Sequence, residues 1–132
     1  MAVMDTTTEP VADFFARYGH ALSTIDLDTI ADCYAYPSLA VTRLGRMAIA
    51  GPEQTKAFFA ENSRRYHEQG IPTLHITNVR AGYDEDGLWV GFADLENLDA
   101  DDRVVGIEHN AYQLVAEGGA WRIAVTTPLD AR

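Results

Sequence analysis

The chain has 132 residues, of which 47% are hydrophobic and 23% charged, so it is long enough for one globular domain with its own core but not for two. Twenty acidic residues against ten basic ones give a net charge of −10, which argues against a nucleic acid or an anionic membrane as a partner. There is neither a signal-peptide pattern nor a run of roughly 20 apolar residues that would span a membrane, and we therefore expect a cytoplasmic protein.

A helical pattern follows a polar start. Residues 1–9 are rich in threonine, which predicts a frayed terminus ahead of a single domain over residues 10–130. Tyr18 lies on the apolar face of this predicted helix. Its hydroxyl can therefore lie within the core or point into a pocket. Five apolar side chains at helical spacing define that face: Val11, Phe14, Phe15, Tyr18 and Leu22.

Two more predicted helices flank one predicted strand. Asp26 is typical of an N-cap, and Pro37 would end the short helix that follows it. Residues 38–44, SLAVTRL, predict a strand. Residues 51–70 predict the third helix, because a proline suits its first turn and Gly70 suits its end. The apolar residues of the short helix would be Leu27, Ile30, Ala31 and Tyr34.

The rest of the chain predicts a series of antiparallel strands. The breaks between the strand-like runs, DEDG, DADD and GG, contain residues typical of tight turns, and such short breaks favour hairpins. Helices followed by a run of strands favour an α+β fold, in which a curved sheet packs on helices at one face. The four predicted strands cover residues 73–83, 87–98, 103–117 and 120–127.

Both faces of the predicted sheet are apolar. Within residues 103–115, Tyr112 and Leu114 share one face, while Val105 and Ile107 share the other. A sheet with one face in water alternates more cleanly than this. Since the helices cover only one face, we expect a second copy of the protein to cover the outer face and form a homodimer.

The order of elements, together with the stretch RYGHALSTIDLDTI, resembles the nuclear transport factor 2-like (NTF2-like) superfamily over residues 10–128. This superfamily includes ketosteroid isomerase, scytalone dehydratase, limonene epoxide hydrolase and polyketide cyclases. The resemblance implies a cone-shaped α+β barrel, in which a strongly curved, mixed but mainly antiparallel sheet packs on three N-terminal helices. It also implies a cavity at the open end of the cone, and we expect a small hydrophobic ligand as its partner.

The resemblance to ketosteroid isomerase implies roles for individual residues. Tyr18 matches a tyrosine that donates to a developing oxyanion, and Asn110 matches the protonated aspartate that assists it. Glu108 lies two residues from Asn110 on the same strand face, so a register shift of two would place it there instead. The catalytic base of the isomerase falls near Thr42, but residues 38–50 contain no carboxylate. This departure argues against steroid isomerisation.

Proton transfer and ligand contact have further candidates. Glu108 would suit a general base if it faces the cavity; alternatively, it lies at the wet end of its strand or pairs with Arg122 on the neighbouring strand. A histidine can act as a general base at neutral pH, and His75 resembles a histidine of other superfamily members, but a lone histidine is also typical of a hydrogen-bonded core residue. Four aromatic side chains would line a pocket or fill the core: Tyr34, Tyr36, Trp89 and Tyr112.

The sequence favours a site without a metal or another cofactor. Its four histidines never pair at short spacing, there is one cysteine, and no phosphate loop or dinucleotide motif is present. Three functions fit this pattern. The first is a cofactor-independent isomerase, cyclase or dehydratase, of the ketosteroid isomerase-like type, that moves a proton on a small hydrophobic carbonyl compound. The second is a non-catalytic binder of a hydrophobic ligand, and the third is a domain that only dimerises.

Overall fold

Three helices and six strands make up residues 6–130, the part of the chain that this computed structural model describes. Among these strands, which form one open sheet in the order β2-β1-β6-β5-β4-β3, only β1 and β6 run parallel. The predicted α+β architecture, with a mixed but mainly antiparallel sheet, is confirmed. The elements are α1 (Val11–Thr24), α2 (Leu27–Asp32), β1 (Tyr34–Thr42), β2 (Gly45–Ile49), α3 (Pro52–Glu68), β3 (Thr73–Glu85), β4 (Leu88–Leu98), β5 (Val104–Glu117) and β6 (Ala120–Pro128).

Helix α1 packs on one face of the sheet, here called the inner face, and builds the core there. Its apolar stripe buries Phe14, Phe15 and Tyr18, as the spacing predicts. Phe15 packs edge-on against Trp89 of β4, with ring centroids 5.5 Å apart. Burial of one phenylalanine side chain contributes about 2–3 kcal/mol. This stripe therefore fixes α1 on the sheet and with it the position of Tyr18.

The predicted end of the second helix is wrong. Helix α2 ends at Asp32, and β1 begins at Tyr34 and includes Pro37. A proline fits this strand because the pairing of β1 with β6 is interrupted between Tyr34 and Leu39, so the missing N–H breaks no ladder bond. As a result, Tyr34 is held by the sheet instead of by a helix.

The predicted strand over residues 38–44 is one half of a hairpin whose second half, β2, was not predicted. The chain turns after Thr42, and β2 pairs antiparallel with β1 in a register that joins Ala40 to Met47. Strand β2 lies at the edge of the sheet and is mostly exposed, so it lacks the apolar alternation that signals a strand. The hairpin forms one wall of the cavity described below.

The segment ahead of α1 is held against the last hairpin. The predicted frayed terminus covers residues 1–9, of which the first five lie outside the described residues. Thr7 Oγ1 donates to the carbonyl of Gly119 at 2.6 Å, and the backbone N–H of Trp121 donates to Glu9 at 2.9 Å. In the described part of this segment, these contacts tie the chain to the turn between β5 and β6.

The outer face of the sheet, opposite α1, exposes apolar side chains. Val105 is 56% exposed, Ile107 50% and Phe92 39%, and all three come from the paired strands β4 and β5. Val105 and Ile107 are neighbours on β5, and the pair Asp94–His109 lies between them and Phe92. Exposed apolar side chains of this kind are typical of association sites. The homodimer through this face stays a prediction.

We expect Ile107→Asp to weaken such a dimer at least about tenfold, because a carboxylate would lose its water in an apolar interface without gaining a partner. Size-exclusion chromatography with light scattering measures the mass across a dilution series. Leu44→Asp, at an exposed position on the β1–β2 turn, is the control. A wild-type chain that is monomeric at every concentration would contradict the prediction.

One carboxylate on the outer face, that of Asp94, is buried by polar neighbours. Its oxygens lie 2.8 Å from Nδ1 of His109, 2.9 Å from Nδ2 of Asn78 and 3.2 Å from a guanidinium nitrogen of Arg80. These hydrogen bonds, with that of His109 as the largest influence, lower the pKa of Asp94 to about 2. In return, the carboxylate raises the pKa of His109.

We expect Asp94 to make the fold sensitive to acid. Because its pKa falls from 3.8 to about 2 on folding, its contribution to stability is complete above about pH 4 and is lost as the pH falls through about 2. After allowance for solvent screening, Asp94→Asn should cost on the order of 1–2 kcal/mol at neutral pH. Urea unfolding of both proteins at several pH values measures this. A variant whose stability falls as steeply in acid as that of the wild type would contradict the prediction.

Candidate ligand-binding cavity

A cavity of about 570 Å³ lies between the inner face of the sheet, α1, α3 and the β1–β2 hairpin. This volume is in the range of small-molecule sites. Most of its lining is apolar or aromatic, so a ligand that fits it is mainly apolar. The lining includes Tyr18 and Leu22 from α1, Tyr34, Ala40, Thr42 and Ile49 from the hairpin, Phe58, Phe59, Asn62, Arg65 and Tyr66 from α3, and Leu74, Leu95, Glu108, Asn110 and Tyr112 from β3, β4 and β5.

Two tyrosines, here called the tyrosine pair, form the deep end of the cavity. Tyr18 and Tyr34 are each 3% exposed, and their hydroxyl oxygens lie 2.7 Å apart. One hydroxyl proton makes this hydrogen bond, so the other remains for a ligand. Burial raises the pKa of both hydroxyls well above their usual value. The pair therefore stays protonated at neutral pH and offers a neutral donor.

Strand β5 lines the cavity with every second residue. Glu108, Asn110 and Tyr112 face inward, and burial increases along the strand from half-buried Glu108 to Tyr112, which is 4% exposed. Burial raises the pKa of the Tyr112 hydroxyl, and the side chain of Asn110 acts in the opposite direction. Alternate residues of a strand lie about 6–7 Å apart. Polar groups therefore run from the mouth of the cavity at Glu108 to its deep end.

Glu108 is the single carboxylate in the cavity lining among the described residues. The hydroxyl of Tyr66, on α3, donates to its Oε2 at 2.5 Å. Burial and this carboxylate raise the pKa of Tyr66. Among the described residues, no cationic side chain forms an ion pair with Glu108. Arg122, which the sequence offers as an alternative partner of Glu108, pairs with Asp32 instead. A carboxylate oxygen, Oε1, is thus left beside an apolar cavity.

A family model matches nearly the whole chain. The model of the NTF2-like proteins designated DUF6841 matches residues 8–131. The chain belongs to this NTF2-like family. No curated protein matches it significantly. The resemblance to the NTF2-like superfamily that the sequence predicts is therefore confirmed.

Solved structures share the NTF2-like fold at low sequence identity. A protein of unknown function with a cystatin-like fold from Nostoc punctiforme is 13% identical, with 90% of this chain and 86% of that chain covered, at a TM-score of 0.70. Aln2 from a Streptomyces species is 18% identical over 94% of each chain, at 0.69. A hypothetical protein with a ketosteroid isomerase-like fold from Catenulispora acidiphila, in complex with trimethylamine, is 16% identical over 96% of this chain and 88% of that chain, at 0.60. Such identities show the fold alone.

The NTF2-like fold separates three of the predicted site residues from the cavity. His75 lies exposed on the outer face, 3.3 Å from Glu96. Trp89 is buried in the core, and the hydroxyl of Tyr36 bonds to Ala31 and Thr55 instead of lining the cavity. The structure brings the other five together around the cavity: Tyr18, Tyr34, Glu108, Asn110 and Tyr112.

The wall formed by α3 was not predicted from the sequence. Five of its cavity residues follow one another at spacings of 1, 3, 3 and 1, which places them on one helical face: Phe58, Phe59, Asn62, Arg65 and Tyr66. This helical spacing is the pattern in the sequence from which the cavity residues of α3 could have been predicted. On the opposite wall, Thr42 lines the cavity, and the surrounding residues 38–50 contribute no carboxylate.

The polar groups that line the cavity are hydroxyl, amide, carboxylate and guanidinium groups. Within residues 6–130, no group of three or more histidine, cysteine, aspartate or glutamate side chains is arranged to hold a metal ion. None of the described helices combines the length and the apolar character needed to cross a membrane.

Proposed function

We propose that this protein binds a small, mainly apolar carbonyl compound in the cavity and that Glu108 moves a proton on it, as in a cofactor-independent isomerase, cyclase or dehydratase. The position of Glu108 carries this proposal. Its carboxylate has no cationic partner among the described residues and lies beside a cavity whose deep end offers hydroxyl donors. A base and a set of donors for an oxyanion are the two groups that this chemistry needs.

The proposed reaction balances with the groups of the chain. Glu108 takes a proton from the carbon next to the carbonyl of the ligand, the C–H electron pair becomes a C=C bond, and negative charge develops on the carbonyl oxygen. The tyrosine pair and the amide of Asn110 donate hydrogen bonds to that oxygen. One such donor contributes about 10²–10³ in rate. Where the ligand has a C=C bond next to that α-carbon, the enolate is conjugated with it. Glu108 then returns the proton to the far carbon of that bond, the double bond moves next to the carbonyl, and the product is an isomer of the ligand.

Exchange of α-protons for deuterium tests this proposal without knowledge of the natural substrate. We expect the protein to accelerate, in a saturable way, the exchange of the protons next to the carbonyl of 1-indanone in deuterated buffer, as followed by NMR. This ketone is apolar and small enough for the cavity. If neither 1-indanone nor a panel of cyclic enones exchanged or isomerised faster with the protein than without it, the proposed reaction would be wrong.

A second candidate function is binding without catalysis. The cavity wall at Thr42 favours it, because no carboxylate stands where the ketosteroid isomerase resemblance places the base, and Tyr66 already engages one oxygen of Glu108. Native mass spectrometry of the purified protein separates the two functions. A co-purified ligand that returns chemically unchanged after incubation supports binding, and a converted one supports catalysis.

A further inference from the structure

Arg65 places a cation at the cavity from the last turn of α3. It shares the cavity face of this helix with Asn62, and its guanidinium donates to the Asn62 Oδ1 at 3.0 Å. This hydrogen bond uses one of the five N–H groups of the guanidinium. No carboxylate of the described residues forms an ion pair with Arg65. Several donors of a permanent cation are therefore open to a ligand.

The neighbouring arginine shows what an ordinary surface position looks like on this helix. Arg64 pairs with Glu61 and Glu68 along the exposed side of α3. In a chain with twice as many acidic as basic residues, such pairing is the expected state. Arg65, the next residue, lies toward the cavity and forms no such ion pair within the described part of the chain. Both arginines are exposed, and they differ in that Arg65 lines the cavity and Arg64 does not.

The argument for a cation open to a ligand at Arg65 does not extend to a second arginine at the cavity. Arg46 of β2 is among the lining residues, but its register partner is Val41. Met47 and Ile49 also line the cavity, and the alternation of a strand places Arg46 on the face opposite to theirs. The inference therefore depends on Arg65 alone.

We propose that the ligand of this cavity carries a carboxylate, which Arg65 binds at the mouth while the carbonyl of the ligand reaches toward the tyrosine pair. This inference rests on the proposed function and names its substrate class: an apolar oxo acid. A guanidinium matches a carboxylate with two parallel hydrogen bonds. At the exposed mouth both groups keep part of their water, so the cost of desolvation stays small.

The charge of Glu108 does not prevent this arrangement. Its Oε2 is engaged by Tyr66, and the positive charge of Arg65 opposes the rise in the pKa of Tyr66. The positive charge of Arg65 thus acts on the hydroxyl that binds Glu108, and Arg65 supplies the charge that attracts an anionic ligand to this end of the cavity. A carboxylate ligand without Arg65 would be repelled by Glu108.

A matched pair of ligands tests the inference. 4-Oxo-4-phenylbutanoate has an aromatic ketone and a carboxylate, and its primary amide has the same shape without the charge. Isothermal titration calorimetry should show that the wild type prefers the acid about tenfold or more. Arg65→Gln should remove this preference, because it should weaken binding of the acid far more than binding of the amide, while Arg64→Gln should behave like the wild type.

Three results would overturn the inference. Equal affinity of the wild type for acid and amide, or an equal loss of both ligands in Arg65→Gln, would do so, because Arg65 would then only position Tyr66 or contribute nothing. Under either result, accelerated α-proton exchange of the amide would still support the proposed function. A wild type that binds neither ligand and exchanges neither would overturn both proposals together.

Discussion

Glutamine in place of Glu108 should slow proton exchange on a bound ketone by about 10²–10⁴-fold. The amide keeps the size of the side chain and can still accept from Tyr66, but it does not take up a proton from carbon. Tyr66 holds the wild-type carboxylate at 2.5 Å, so the variant should keep α3 in place against β5. NMR-detected exchange of 1-indanone measures the rate, and calorimetry with the same ketone measures the binding.

Glu96→Gln is the matched control, because Glu96 is a half-buried carboxylate on the neighbouring strand that lies on the outer face beside His75. Its exchange rate should equal that of the wild type. His75→Ala should also leave the rate unchanged, since the structure places this histidine outside the cavity. A Glu108→Gln protein that exchanges the ketone as fast as the wild type would remove Glu108 from the mechanism.

Alanine in place of Gly91 should destabilise the fold by about 3 kcal/mol. A Cβ at this position would overlap the carbonyl oxygen of Arg80 on β3 and lie 2.6 Å from Cη2 of Trp89. Backbone cannot yield without breaking the ladder, and the ring of Trp89 is 2% exposed. The absence of a side chain at Gly91 is thus what lets this ring lie under Phe15 and support the deep end of the cavity.

Urea unfolding of Gly91→Ala, with Gly82→Ala as control, measures this effect. A Cβ at Gly82 would meet only the carbonyl of Val90, at an ordinary 3.5 Å. Both glycines lie in neighbouring strands, so the loss of glycine flexibility is similar in both variants. We expect the control to stay within about 1 kcal/mol of the wild type. Similar stabilities of the two variants would show that the contacts of Gly91 do not matter.

The periodicity of the sequence predicted those site residues that lie together on a single helix or strand. The apolar face of α1 predicted the burial of Tyr18, and the alternation of β5 placed Glu108, Asn110 and Tyr112 on one face of the sheet. The alternation of residues along a strand predicts the face on which a side chain lies, but not whether that part of the strand borders the cavity or the core. On β4, Trp89 and Leu95 share the inner face, but only Leu95 reaches the cavity while Trp89 lies in the core.

Contacts between distant elements were beyond the reach of the sequence. Tyr66 and Glu108 are 42 residues apart, and no local pattern joins them. The face of β3 that turns inward depends on its register with β4, which pairs Ile76 with Leu95 and leaves His75 outside. The position of Tyr34 depends on the interrupted pairing of β1 with β6. Its spacing in the sequence is typical of a helix, so the sequence predicted a helix there instead of a strand.

The most direct test of a cavity that stabilises an enolate is a crystal structure with 2-naphthol, whose ring hydroxyl resembles the enol that proton transfer would create. We predict that the naphthol lies between α3 and the inner face of the sheet, with its oxygen about 3 Å from the tyrosine pair or from the Asn110 amide and its ring beside the Glu108 carboxylate. Naphthol bound only outside this space, or a space filled by side chains of α3 after soaking, would contradict the account.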